Sequence, residues 1–261
     1  AERELAVLLG VRHPHVVGLR AGVPLDDGSL ALVLDLVDGG TLSQLVAARG
    51  HLRPGEVVTV VAPLARTLAD LHALGVEHGD LAPGNVLFDR DGKPMLADLG
   101  TVRVTGEARE EQFGTPGYVD PVVVVGGRPG PPSDVYGLAA LAWFALTGRT
   151  PPGALLRPSL ADAVPGLPDA LVSVLEQALD PDPSRRPAPD ALARRVFDAA
   201  TAEPVWLLGC TPADGGLTHR IRRLAAADES AAAPARHRAQ RGGRNRVRRA
   251  RRLPRAEAKR Q

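Results

Sequence analysis

Asp80, Asn85 and Asp98 stand five and then thirteen residues apart in the stretch HGDLAPGNVLFDRDGKPMLADLG, residues 78–100. Phosphoryl transfer asks little covalent chemistry of a protein. It needs one carboxylate to position the accepting hydroxyl, and an amide oxygen with a second carboxylate to hold magnesium on the phosphates. These three side chains supply that set. Asp and Asn are also ordinary turn residues, so the three gain meaning only from the elements around them.

Within the stretch, NVLF and PMLAD read as two short strands around the turn DRDG. Before it, Pro54 to Leu74 reads as a long amphipathic helix, and Thr41 with Gln44 suits a capping box for a shorter one. HVVGLRAGV and SLALVLDLV, separated by PLDDG, carry a hairpin signal. At the front, ERELAVLLG places Leu5, Leu8 and Leu9 on one helical face, with Gly10 as a stop. After the stretch, Ser133 to Thr147 is apolar on most sides and predicts a buried helix capped by Ser133. Pro168 to Leu179 and Pro189 to Ala200 predict two further amphipathic helices. The fold class is therefore α+β, mostly helical.

Composition sets the bounds. With 44% hydrophobic residues and 3% aromatics, the core must be aliphatic. The single cysteine, Cys210, rules out an internal disulfide and fits a reducing compartment, so a cytoplasmic location is expected. No apolar run reaches the roughly 20 residues that span a bilayer. The net charge of +2 hides two unlike parts. Residues 220–261 carry a net +12 and the first 219 residues a net −10. Lysine is almost absent: Lys93 and Lys259 are the two in the chain.

The stretch at residues 78–100 resembles the catalytic loop and metal motif of eukaryotic-type protein kinases, H-R-D-x-K-x-x-N followed by D-F-G. GTPGYVDP (residues 114–121) looks like that family's substrate-docking loop, SDVYGLA (133–139) like the start of its central helix, and DPDPSRRP (180–187) like its D-P-x-x-R-P. LVLDLVDGGTL (32–42) looks like the strand and hinge that grip adenine, and Glu4 precedes His13 as the family's ion-pairing Glu precedes its H-P. Five ordered matches at family spacing make a bacterial-type serine/threonine protein kinase the first reading.

That resemblance implies ATP and Mg2+ as cofactors and a protein hydroxyl as acceptor. It implies that Asp80 is the catalytic base and that Asn85 and Asp98 are magnesium ligands. Leu87 would floor the adenine pocket, Leu34 would be the gatekeeper, and Asp35 and Val37 would join them along the nucleotide, with Glu4 in the phosphate-aligning ion pair. Thr115 either caps its loop or contacts Asp80; the family places a threonine in the second role. Asp134 would accept backbone hydrogen bonds from the catalytic loop.

The departures are as specific. The H-R-D arginine is Gly79, so no cation waits there for a phosphorylated loop. The loop lysine is Ala82, and the D-F-G phenylalanine is Leu99. The A-P-E glutamate is Val122, so Arg186, its usual partner, is expected to reach solvent or another carboxylate. The family's Gly-rich loop and strand lysine precede the helix with which this chain opens. Lys93 sits on a turn where it would be solvated and does not replace that lysine. The chain is therefore expected to be an N-terminally truncated kinase, slow or inactive as it stands.

Two alternatives are set beside this reading: a pseudokinase scaffold, and a small-molecule phosphotransferase, because HGDLAPGN also looks like the loop of aminoglycoside and choline kinase relatives. The expected organisation is a partial N-terminal lobe and hinge at 1–40, a helical lobe at 41–203, and a basic low-complexity tail at 204–261, disordered by composition. The tail is most simply a solvated segment. Non-specific contact with nucleic acid or acidic lipid is its other use. Thr101 and Thr105 are candidate phosphorylation sites.

Overall fold

A computed structural model describes residues 10–25, 30–98, 103–104, 114–154 and 156–207. Glu4, Leu99, Thr101, Thr105, Cys210 and residues 208–261 lie outside the described residues, as does the opening helix up to Leu9.

Strands β1 (Leu19–Pro24) and β2 (Leu30–Leu34) pair antiparallel, with a register shift between Leu19 and Ala21. The hairpin gives Leu19 to the core, while Val23, Leu32 and Val33 stay exposed. The chain then enters α1 (Leu42–Arg49) through the expected capping box: Gln44 N–H donates to Thr41 Oγ1 at 3.1 Å, and Thr41 N–H to Gln44 Oε1 at 2.9 Å. Two backbone donors at the helix start are thereby satisfied by one another's side chains.

Helix α2 (Pro54–Ala73) buries Val57, Val60, Val61, Leu64, Leu68 and Leu71. That spacing of three and four residues lays them along one face. The face packs against α4 (Pro131–Thr147) and α7 (Pro189–Ala199). Between these lie β3 (Val76–Glu77), β4 (Val86–Phe88), β5 (Pro94–Leu96), β6 (Arg103–Val104) and the short α3 (Pro121–Val124). The short α5 (Leu160–Ala163) and then α6 (Asp169–Ala178) follow α4, and a 3₁₀ turn at Pro183–Arg185 leads into α7. β4 pairs with β5, as the turn DRDG predicts, and β3 pairs with β6. A two-residue ladder such as β3–β6 is too short for periodicity to reveal.

Helix α4 is the centre of the core. Every residue from Asp134 to Trp143 is buried. The helix begins two residues earlier than expected, and its N-cap is Gly130, with Ser133 inside the first turn. Pro131 and Pro132 account for the difference. Proline has helical φ and lacks only an N–H that the first turn leaves unpaired anyway, so it starts helices rather than stopping them.

The packed chain also runs past residue 203. Glu203 N–H donates to Gly55 O at 3.0 Å, and Thr59 Oγ1 donates to Glu203 O at 2.6 Å. Val205 is buried, and Trp206 N–H reaches Glu56 Oε1 at 3.3 Å. Glu56 is fully buried at the head of α2 and holds the Arg49 guanidinium at 2.8 and 2.7 Å. Arg49 in turn donates to Trp206 O at 2.9 Å. Burial pushes the Glu56 carboxyl up, but hydrogen bonds from Arg49 and from the Arg53 and Trp206 backbones outweigh it and bring its pKa down to about 2.

This has a measurable consequence. A carboxylate whose folded pKa lies below its ordinary 4.5 adds stability that is complete above that pH and disappears as pH falls toward 2. Glu56→Gln should cost about 2–3 kcal/mol at neutral pH, or roughly 5–10 °C in Tm. Thermal unfolding followed from pH 7 to pH 3 should show the gap between the two proteins narrowing below about pH 4.5. A gap independent of pH would mean that the ionised form of Glu56 contributes nothing.

Candidate active site

The loop between β3 and β4 is held from beneath by α4. Asp134, buried, accepts the backbone N–H of His78 and of Gly79, each at 2.9 Å, and the Nε2–H of His72 at 2.8 Å. Its backbone role is the one the sequence implied. His72, on the last turn of α2, is a partner the sequence did not single out. Gly79 has φ +77°, in the left-handed region. An L side chain there costs roughly 1–2 kcal/mol, so glycine in place of the family's arginine gives up a cation and relieves strain. At Gly137 of α4 a Cβ would stand 3.0 Å from Leu81 Cβ, so the helix can lie close under the loop.

Asp80 is buried at 6% exposure, and its carboxylate is tightly placed. Oδ1 accepts Thr115 N–H at 3.0 Å and Thr115 Oγ1–H at 2.9 Å. Oδ2 accepts Asn85 Nδ2 at 3.2 Å, and the same nitrogen donates to the Asp80 carbonyl at 2.8 Å. Asp80, Asn85 and Thr115 are therefore one hydrogen-bonded group, drawn from two segments 30 residues apart in sequence. Thr115 contacts Asp80, which decides between its two sequence readings.

Asp98 comes to the same place through the β4–β5 pair. Ala97 N–H donates to Asn85 O at 2.8 Å, so Asp98 follows directly on a backbone bond to Asn85. Asp98 has φ +61° and is the one non-glycine residue with positive φ among the described residues. Asp is one of the few non-glycine residues that enter this region readily, and such positions cluster at functional sites. Asn85 and Asp98 offer an amide and a carboxylate, hard oxygen donors of the kind magnesium takes. The Asn85 amide is oriented by its nitrogen's two bonds to Asp80.

Leu87 joins Val17 and Ala97 in a small apolar cluster, against which Leu34, Val37 and Met95 pack; Leu34 also touches the main core. Three of the residues expected along a nucleotide, Leu34, Val37 and Leu87, thus lie together. The hinge is pinned there by Gly39 N–H to Phe88 O at 2.8 Å and Phe88 N–H to Gly40 O at 2.9 Å. A Cβ on Gly39 would stand 2.4 Å from Asp89 O, so this approach needs glycine. The Asp35 carboxylate is turned to Arg20 of β1, and its N–H donates to Gly18 O at 2.8 Å. Lys93 is half-exposed on its turn, 3.7 Å from Asp89. Ala82 is buried within the loop.

Arg186 meets a carboxylate. Its guanidinium forks onto Asp120 at 2.6 and 2.8 Å, and neither side chain is more than 2% exposed. Asp120 stands two residues before Val122. Of the two expected fates of Arg186, solvent or another carboxylate, the second is the one observed; which carboxylate was not foreseen, because the family's partner stands at position 122.

Comparison with known proteins agrees with this geometry. The family described as protein kinase domain matches residues 1–197. Serine/threonine-protein kinase PkaB of Streptomyces coelicolor is 36% identical over 232 residues, covering 81% of this chain and 54% of PkaB. PkaA of the same organism is 38% identical over 208 residues, 74% of this chain and 38% of PkaA. Serine/threonine-protein kinase PknL of Mycobacterium tuberculosis is 36% identical over 186 residues, 70% of this chain and 41% of PknL. The chain thus spans about half or less of the length of these relatives. The chain belongs to the protein kinase family, whose members in general use ATP and Mg2+; the three relatives are serine/threonine-protein kinases. Among the described residues no helix is long and apolar enough to cross a membrane.

Proposed function

We propose that this chain is the catalytic lobe of a serine/threonine protein kinase, directing the γ-phosphoryl group of ATP to a protein hydroxyl. The observation that carries the reading is the Asp80 carboxylate, buried and fixed from two sides by Thr115 and Asn85. In this role Asp80 orients the acceptor hydroxyl and accepts its proton. Thr115 holds that carboxylate and ties it to the loop on which a peptide would lie. Asn85 and Asp98 would hold magnesium, which when bound neutralises charge on the phosphates. Leu34, Val37 and Leu87 provide an apolar seat for adenine.

Ala82 favours a second reading. It places a buried methyl group where the family has a lysine on the transferring phosphate, and a scaffold that binds without transfer would tolerate that. One assay separates the readings. The chain is given labelled ATP with and without Mg2+, beside a serine/threonine peptide library and, separately, an amino alcohol. Slow magnesium-dependent label on the peptides, far below the family's usual roughly 1–100 per second, is the expected outcome. Magnesium-dependent nucleotide binding with no label on any acceptor would count against transfer by this chain and favour the scaffold, and label on the amino alcohol alone would favour a small-molecule phosphotransferase.

A further inference from the structure

Asp120 and Arg186 form a closed polar knot at the far end of the loop that carries Thr115. A guanidinium has five N–H donors, and in Arg186 each direction is used. Nε donates to Asp180 O at 2.8 Å, Nη1 to Asp120 Oδ2 and Pro132 O at 2.6 and 2.9 Å, and Nη2 to Asp120 Oδ1 and Pro181 O at 2.8 and 3.3 Å. The carboxylate is equally occupied: Oδ1 also accepts Val122 N–H at 3.0 Å, and Oδ2 also accepts Ser133 Oγ–H at 2.7 Å. The Tyr136 ring lies against the guanidinium, with its centroid 5.0 Å away. A buried ion pair is costly unless its remaining lone pairs and protons are satisfied. Here they are, so the knot is a rigid fixture.

Its position gives it a purpose. Ser133 and Asp134 are consecutive residues of α4. Ser133 holds Asp120 at one end of the 114–121 loop, and Asp134 holds the backbone of His78 and Gly79 next to Asp80. One turn of one helix therefore sets both segments whose meeting is the Thr115–Asp80 contact. We infer that Asp120, paired with Arg186, is a positioning residue for phosphoryl transfer: it fixes the loop so that Thr115 meets Asp80, in place of a carboxylate at residue 122. The transfer chemistry in this statement rests on the proposed function. The positioning does not, and can be tested without turnover.

The measurement is amide hydrogen exchange on the full chain, comparing the unchanged protein with Asp120→Asn, Arg186→Gln and the double variant. Asp120→Asn keeps the shape of the side chain and removes its charge. Each single variant should speed exchange at the Thr115 amide, which donates to Asp80, by about tenfold or more, a change of roughly 1.4 kcal/mol in local opening. Amides in the buried middle of α2 should keep their protection. The double variant should be no faster at Thr115 than the faster single one, because the two side chains act as a unit. Unchanged protection at Thr115, an equal loss throughout α2, or additive effects in the double variant would each overturn the inference. These outcomes are read without ATP, so an inactive chain would count against the proposed function alone.

Discussion

Asp80→Asn should lower the slow phosphoryl transfer expected of this chain by about a thousandfold, within the range of a lost general base, while magnesium–ATP binding stays within about twofold of the unchanged chain. The substitution removes the group that accepts the hydroxyl proton. It also disturbs the hydrogen bonding around residue 80. In the present structure Thr115 donates twice to one carboxylate oxygen and Asn85 donates to the other. An amide at 80 can offer its oxygen to one side only, and its NH2 then faces a donor. Magnesium would remain with Asn85 and Asp98, and the apolar seat at Leu34, Val37 and Leu87 is untouched, so binding should persist. Asp98→Asn should show the reverse: loss of the magnesium dependence of ATP binding. Single-turnover transfer with labelled ATP and a calorimetric titration with and without Mg2+ read both. Transfer by Asp80→Asn within tenfold of the unchanged chain would remove Asp80 from the role of base.

How far the sequence foretold this site depends on the range of the forces involved. Asp80, Asn85 and Asp98 were legible because their spacing is carried by one hairpin, β4–β5, whose turn and strands are local. The capping box at Thr41 was legible for the same reason. The backbone bonds of Asp134 came from resemblance alone, since nothing between residues 79 and 134 predicts their meeting. His72 was missed because a histidine on a helix face looks like many others until a buried carboxylate is placed against it.

Asp120 is the clearest case of what one dimension hides. Its family position is an apolar one, and Val122 read simply as a loss. Only when α4, the 180–186 turn and the 114–121 loop are brought together does the carboxylate at 120 come within reach of Arg186. The start of α4 lies two residues before the expected one for a local reason: Pro131 and Pro132 form the helix's first turn. The continuation of packing through Val205 and Trp206 was hidden because a strap without periodicity gives no pattern, although Glu203 N–H donates to Gly55 O and Trp206 N–H to the Glu56 carboxylate.

The largest loss of stability should follow from Asp134→Ala. That side chain is 3% exposed, and three donors converge on it: the His78 and Gly79 backbone N–H groups and His72 Nε2. Alanine leaves all three facing an apolar helix surface. A buried donor left without its acceptor costs about 1–3 kcal/mol, and the charge-assisted character of these bonds puts each in the stronger class. Water could recover part of the loss at Gly79, whose residue is exposed, and little at His78, which is not. A total of about 3–5 kcal/mol is expected, the scale of removing one partner from a buried polar cluster, with Tm lowered by roughly 10–15 °C. Asp134→Asn should recover less than half of this, because its NH2 must confront one of the same donors. Denaturant unfolding of the three proteins gives the energies. Hydrogen exchange gives the location, since the His78 and Gly79 amides should lose protection beyond that lost by the α4 amides from Leu138 to Leu146. If Asp134→Ala costs less than about 1 kcal/mol, the range of an ordinary surface change, then α4 does not carry the catalytic loop, and the loop must be held by its own turn at Leu81–Asn85.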